Sequence, residues 1–114
     1  MGRMANLSEP EITSALAALP GWSCTGDEIE KTFERASFAD AIAFVVRIGF
    51  LAEAAYHHPD LSIGYATVTV KLQTHRVRGI TTSDVALARR IDSVVVWKPD
   101  DESPLSGFPK NWIQ

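Results

Sequence analysis

Cysteine is nearly absent from this 114-residue chain. Cys24 stands alone, so no internal disulfide can form, and the composition suits a reducing, cytoplasmic setting. That cysteine reads as a small half-buried apolar residue rather than a nucleophile. A basic excess is also missing. Eleven Lys and Arg stand against 14 Asp and Glu, a net charge of −3, which argues against a nucleic-acid surface. No apolar run is long enough to cross a bilayer, because Asp40, Arg47 and Glu53 interrupt the most apolar stretch. There is no glycine-rich phosphate loop, no internal repeat, no Ser/His/Asp ordering and no signal-peptide pattern after Met1-Gly2-Arg3-Met4. The His-x-x-x-His and Cys-x-x-Cys spacings of zinc sites are lacking too, so no metal is expected.

The 3 histidines are concentrated in two short pieces, Glu53-Ala54-Ala55-Tyr56-His57-His58-Pro59-Asp60 and Thr74-His75. Histidine is the side chain that exchanges a proton most readily near neutral pH. Pro59 prevents a helix from continuing and holds His58 in extended geometry. The pair therefore reads either as a helix end, where the dipole favours cationic imidazoles, or as one wall of a proton-transfer site. Glu53 lies one turn before His57 on the same helix face. It is either a surface pair with that residue or the group that orients it.

The remaining pattern predicts one α+β domain: a single-layer antiparallel four-stranded sheet with three helices packed on one face, in the order α-β-β-α-β-α-β. Ser8 caps a first helix with Glu9, Pro10 and Glu11 in its first turn and Ile12, Leu16 and Leu19 along one stripe. Trp22 to Thr25 and Glu28 to Phe33 form a hairpin around Gly26-Asp27, with Ile29 and Phe33 facing inward. Ser37 caps a second helix over residues 38–56, about 30 Å long. Its polar residues Asp40 and Arg47 share one narrow line, so it should be buried on two sides, the second against another copy of the chain.

Leu61 to Gln73 alternates as one long strand, placing Thr74 inward and His75 outward. Thr81-x-x-Asp84 has the form of a capping box and opens a third helix to about Val94, which makes Asp84 a helix-start residue first. Val94 to Trp97 is expected to add the last strand. Residues 1–6 read as an extension, 7–97 as the domain and 98–114 as a tail.

These residues together resemble the pterin-4a-carbinolamine dehydratase family. The resemblance rests on Glu53-x-x-x-His57-His58-Pro59, an aromatic at Tyr65, Thr74-His75, Gly79 and Asp84, supported by Gly21-Trp22 and Phe33. It departs at Leu61, where many members carry tryptophan. It implies a lyase that removes water from a 4a-hydroxytetrahydropterin to give quinonoid dihydropterin, in tetrahydrobiopterin recycling, without metal or redox cofactor. It further implies catalytic roles for His57, His58, His75 and Glu53, with His57 and His75 as the acid/base pair and His58 mainly positioning. Asp60, Thr74, Tyr65 and Asp84 become substrate-binding candidates. The expected partners are the pterin and further copies of the chain, a homodimer or homotetramer built through the sheet edge and the 38–56 helix, with no nucleic acid and no membrane. A non-catalytic dimerisation or transcriptional-coactivator protein of the same fold is the alternative.

Overall fold

The computed structural model describes residues 6–95. Helix α1 (Glu9–Ala17) is followed by strands β1 (Ser23–Thr25) and β2 (Glu28–Glu34), and then by helix α2 (Phe38–Ala55). Strands β3 (Asp60–Ile63) and β4 (Thr67–Leu72) precede helix α3 (Thr82–Val95). The four strands form one antiparallel sheet in the order β1-β2-β4-β3.

The sheet's inner face carries Ile29 and Phe33 from β2 and Val68, Val70 and Leu72 from β4, all buried. Ala41, Phe44 and Ile48 of α2 and Leu87, Ala88 and Ile91 of α3 pack with them in one core. Leu16 and Ile12 bring α1 against the same cluster. The other face is polar, and the Thr32 and Thr69 hydroxyls meet there across β2 and β4 at 2.9 Å. This is the one-sided alternation that the inward and outward residues of each strand require.

Two sequence expectations change. The fourth strand is not Val94–Trp97, because α3 continues through Val95; Val96 and Trp97 lie outside the described residues, as does the 98–114 tail. It comes instead from splitting the long Leu61–Gln73 run into two strands. The Gly64 amide donates to the Thr67 carbonyl at 2.8 Å, closing a tight turn that sets Ile63 opposite Val68. A Cβ at position 64 would run into the Thr67 side chain, so glycine is what permits the reversal. Alternation of side chains alone does not reveal it, because both strands of the hairpin keep the same period.

The helix starts follow the sequence closely. Ser8 and Glu11 form a reciprocal box, the Ser8 amide donating to the Glu11 carboxylate at 2.7 Å and the Glu11 amide to the Ser8 hydroxyl at 3.3 Å. The bond from the Ser8 backbone, and then the Ser8 side chain, hold the Glu11 carboxyl below its ordinary pKa. A carboxyl whose folded pKa is lowered stabilises the fold above its unfolded pKa and loses that contribution as pH falls through the folded value. The melting-temperature gap between the wild type and Glu11→Ala should therefore be widest near neutrality and close in acid; a gap independent of pH would refute the ionic form of the cap.

Helix α2 departs from its expected polarity. Asp40 is completely buried rather than part of a solvated line. It accepts from Arg35 Nε at 2.7 Å and Nη2 at 3.1 Å and from the Ala36 amide at 3.2 Å, clamping the β2–α2 corner. The Arg35 guanidinium also lies 4.6 Å from the centre of the Phe44 ring. Cys24 is exposed, not half-buried, because β1 is the outer strand of the sheet. Partial burial, followed by the charges of Glu9 and Asp27, pushes its thiol pKa up, which disfavours the nucleophilic thiolate.

Candidate functional site

The end of α2 is built by its backbone. Tyr56 adopts the left-handed conformation, φ 53° and ψ 44°. Its amide donates to the Glu53 carbonyl at 3.2 Å, and the His57 amide reaches back to the Ala52 carbonyl at 3.1 Å. This crossed pair is a Schellman termination, which folds the chain back over the helix end. Pro59 then commits the chain to extended geometry and β3 begins at Asp60. His57 and His58 are thus fixed by a helix stop rather than by a mobile loop.

The opposite wall comes from the end of β4. Thr74 and Gly79 form a bridge, and the Val77 and Arg78 amides donate to the Thr74 and His75 carbonyls at 3.1 and 3.2 Å. The turn between them carries His75 and Arg76. A cavity of about 330 Å³ lies between the two walls, lined by Tyr56, His57, His58, Gln73, Thr74, His75 and Arg76. The three imidazoles that the sequence separates therefore line one space, of a size suited to a small heterocycle.

Beneath this space is a buried hydrogen-bond network. His57 Nε2 and Asp84 Oδ1 are 2.6 Å apart. The other Asp84 oxygen accepts from the Thr74 hydroxyl at 2.8 Å and from the Thr81 amide at 2.9 Å. The Thr81 and Thr74 hydroxyls are 2.8 Å apart, and the Ser83 amide donates to Thr81 Oγ1 at 3.2 Å. Thr74 has a single hydroxyl proton, and it goes to Asp84, so the Thr81 hydroxyl must donate to Thr74. An ionised Asp84 accepts from Nε2, which orients the His57 ring with Nδ1 turned away from the carboxylate.

Several of the expected roles move. Glu53 pairs with His58, not His57, at 2.8 Å; both side chains are largely exposed, so the pair is weak and screened. Asp84 is fully buried and stands behind His57 instead of lining the cavity. The Thr74 side chain is likewise committed to the network, so its hydroxyl is not a free contact for a ligand. Asp60 opens β3 opposite Lys71, outside the cavity lining. Tyr65 sits in the turn before β4 while the cavity lies past that strand's other end, so the two are a strand length apart. Sequence reasoning missed Tyr56, Gln73 and Arg76 as lining residues. Their only signal is adjacency to the histidines.

The family model described as pterin 4 alpha carbinolamine dehydratase matches residues 5–94. The chain belongs to this family. The match spans both cavity walls and the α3 start that carries Asp84. A protein of Chloroflexus aggregans, provisionally named a pterin-4-alpha-carbinolamine dehydratase, is 52% identical over 93 residues, covering 81% of this chain and 99% of the relative. One from Roseiflexus sp. strain RS-1, named in the same way, is 51% identical over 89 residues, covering 78% and 96%. The crystal structure of a transcriptional coactivator/pterin dehydratase from Brucella melitensis superposes with a TM-score of 0.75 at 33% identity, covering 78% of this chain and 97% of that one. The fold and the lyase family are thereby shared with these dehydratases.

Among the described residues no group of three or more His, Cys, Asp and Glu is placed to hold a metal ion. No helix there is long and apolar enough to cross a membrane.

Proposed function

We propose that the chain dehydrates a 4a-hydroxytetrahydropterin to the quinonoid dihydropterin, with histidines as the proton-transfer groups. The observation that carries this reading is one heterocycle-sized cavity lined by all three imidazoles, with Asp84 bonded behind one of them. The reaction breaks the C4a–O bond, forms the C4a=N5 double bond and moves two protons. One is taken from N5 and one is delivered to the departing hydroxyl, which leaves as water. Both steps suit imidazole near neutral pH.

His57 serves as the base. Asp84 holds its Nε2–H, Nδ1 can accept the N5 proton, and the imidazolium that forms is stabilised by the carboxylate behind it. His75, on the turn across the cavity, serves as the acid that protonates the hydroxyl. His58 binds and positions the ring system, with Glu53 steadying it from the solvent side. A tetrahydrobiopterin-type substrate released by an aromatic amino acid hydroxylase, in a cytoplasmic recycling role, fits this assignment. The test is stopped-flow: carbinolamine generated enzymatically should lose water faster in proportion to added protein. A rate equal to the uncatalysed one would remove the proposal.

The same reading includes self-association through α2. Phe38, Ile42, Val46 and Phe50 form an exposed apolar face, with Phe50 74% exposed. A hollow of about 420 Å³ beside it is lined by Val46, Gly49, Phe50, Pro59 and Leu61, among others, and borders His58. Ile48 is fully buried in the core, so a charge there would test folding rather than assembly. Phe50→Glu should instead lower the mass seen by light scattering without lowering the melting temperature of the isolated fold. An unchanged mass would exclude this face.

A further inference from the structure

Tyr56 occupies a backbone position that its own fold gives no reason to fill with a large side chain. A left-handed φ of 53° at a helix end is where glycine is favoured, because a Cβ crowds the neighbouring backbone. Bulky residues there are uncommon, and such strain gathers at functional sites. Tyr56 and Arg78 are the two non-glycine residues with positive φ among the described residues. Each sits in a segment that carries histidines of the cavity, one at the end of α2 and one in the turn after His75.

Packing does not account for the Tyr56 ring. It is 89% exposed, so it adds almost nothing to the core. Its recorded ring neighbour is His58, edge-on at 6.1 Å between centroids and 75° between planes. Yet the residue lines the cavity beside His57 and His58. An exposed aromatic held at a strained position on the rim of a cavity sized for a small heterocycle has one evident use: its face can cover that ligand.

We infer that Tyr56 is a substrate-binding residue whose ring packs on the exposed side of the pterin, closing the wall that His57 and His58 begin. The inference rests on the pterin reading of the cavity and adds a specificity-determining contact to it. Stacking on an aromatic face tolerates changes at the ring edge but needs a flat surface to meet, so Tyr56 selects for ligands that present one, as the conjugated N1–C2–N3 edge of the carbinolamine and the quinonoid product do. It also predicts opposite signs for fold and binding at one residue. Glycine relieves the crowding of the left-handed backbone while deleting the face that meets the ligand.

The experiment uses the full chain and 7,8-dihydrobiopterin as the probe, with binding followed by fluorescence quenching and stability by thermal melting without ligand. Tyr56→Gly should melt no lower than the wild type and bind the probe at least about tenfold more weakly, the scale expected for losing one stacking partner. Tyr56→Phe should bind within about twofold of the wild type, because the ring face and not the hydroxyl makes the contact. Three results would overturn the inference: unchanged affinity in Tyr56→Gly, a lower melting temperature in Tyr56→Gly, or a Tyr56→Phe variant as weak as the glycine one. If the wild type itself binds no dihydropterin, the pterin reading of the cavity fails first, and that outcome is distinct from the other three.

Discussion

His57→Ala is expected to slow carbinolamine dehydration by at least ~10²-fold, the usual scale for loss of a general acid or base. The effect should appear in kcat and kcat/KM together, because the proton transfer is made in the transition state and not on binding. Geometry singles out His57 among the three imidazoles. His58 is exposed and tied to an exposed glutamate, and His75 sits on an exposed turn. His57 alone is bonded to a fully buried carboxylate, at 2.6 Å.

Removing the imidazole also leaves Asp84 Oδ1 without its partner, so some loss of stability is expected. Melting curves of the variant separate the two effects: a folded His57→Ala protein with the wild-type rate would contradict the assignment. Glu53→Ala provides the contrast. Its pair with His58 is solvated, so the dehydration rate should fall far less than in His57→Ala.

The largest expected effect on stability lies away from the cavity, at the β2–α2 corner. Asp40→Ala should destabilise the fold by about 3–5 kcal/mol, the range for breaking a buried ion pair by removing one partner. Asp40 is fully buried and the Arg35 side chain is 5% exposed, so water cannot readily replace the lost carboxylate. The substitution removes the carboxylate that accepts from the Arg35 guanidinium and from the Ala36 amide. Urea unfolding of the two proteins measures this as a shift of midpoint at constant slope. A change below about 1 kcal/mol would mean that the pair behaves like a surface bridge. Because α2 leads directly into His57 and His58, loosening its start should also be felt at the cavity.

Much of this architecture was legible from local chemistry. Ser8 with Glu11, Ser37, and Thr81 with Asp84 announced three helix starts, because unsatisfied amides at a helix terminus need nearby acceptors wherever the helix lies. Gly26-Asp27 announced the first hairpin, and the structure pairs Thr25 with Glu28 across it. The inward set Val68, Val70 and Leu72 was equally plain, since alternation is a property of the strand itself. The second hairpin was less visible. Gly64 alone marked it, and the residues on both sides continued the strand pattern.

The buried role of Asp40 was hidden because its partner, Arg35, lies before the helix, and burial depends on what covers the corner. The same limit governs the candidate site. Sequence placed His57 and His58 at a helix end and His75 past a strand, and it flagged Glu53 for its spacing from His57. It assigned that glutamate to the wrong imidazole, because helical spacing holds only while the helix continues. The left-handed turn at Tyr56 rotates the two histidines off the helix face, so His57 turns to Asp84 and His58 returns to Glu53.

By itself, then, the sequence determined the three helices and their starts, the first hairpin, the inward faces and the family, since these are written in residues a few positions apart. Only the tertiary structure decided that Asp84, Thr74 and Thr81 form one buried network under His57, that Tyr56 and Arg76 flank the imidazoles, and that Asp60 and Tyr65 lie outside the cavity lining. Those relations join residues from α2, β4 and α3. They are set by how the helices settle on the sheet and by a chain reversal at one strained residue, neither of which has a period or a spacing to read.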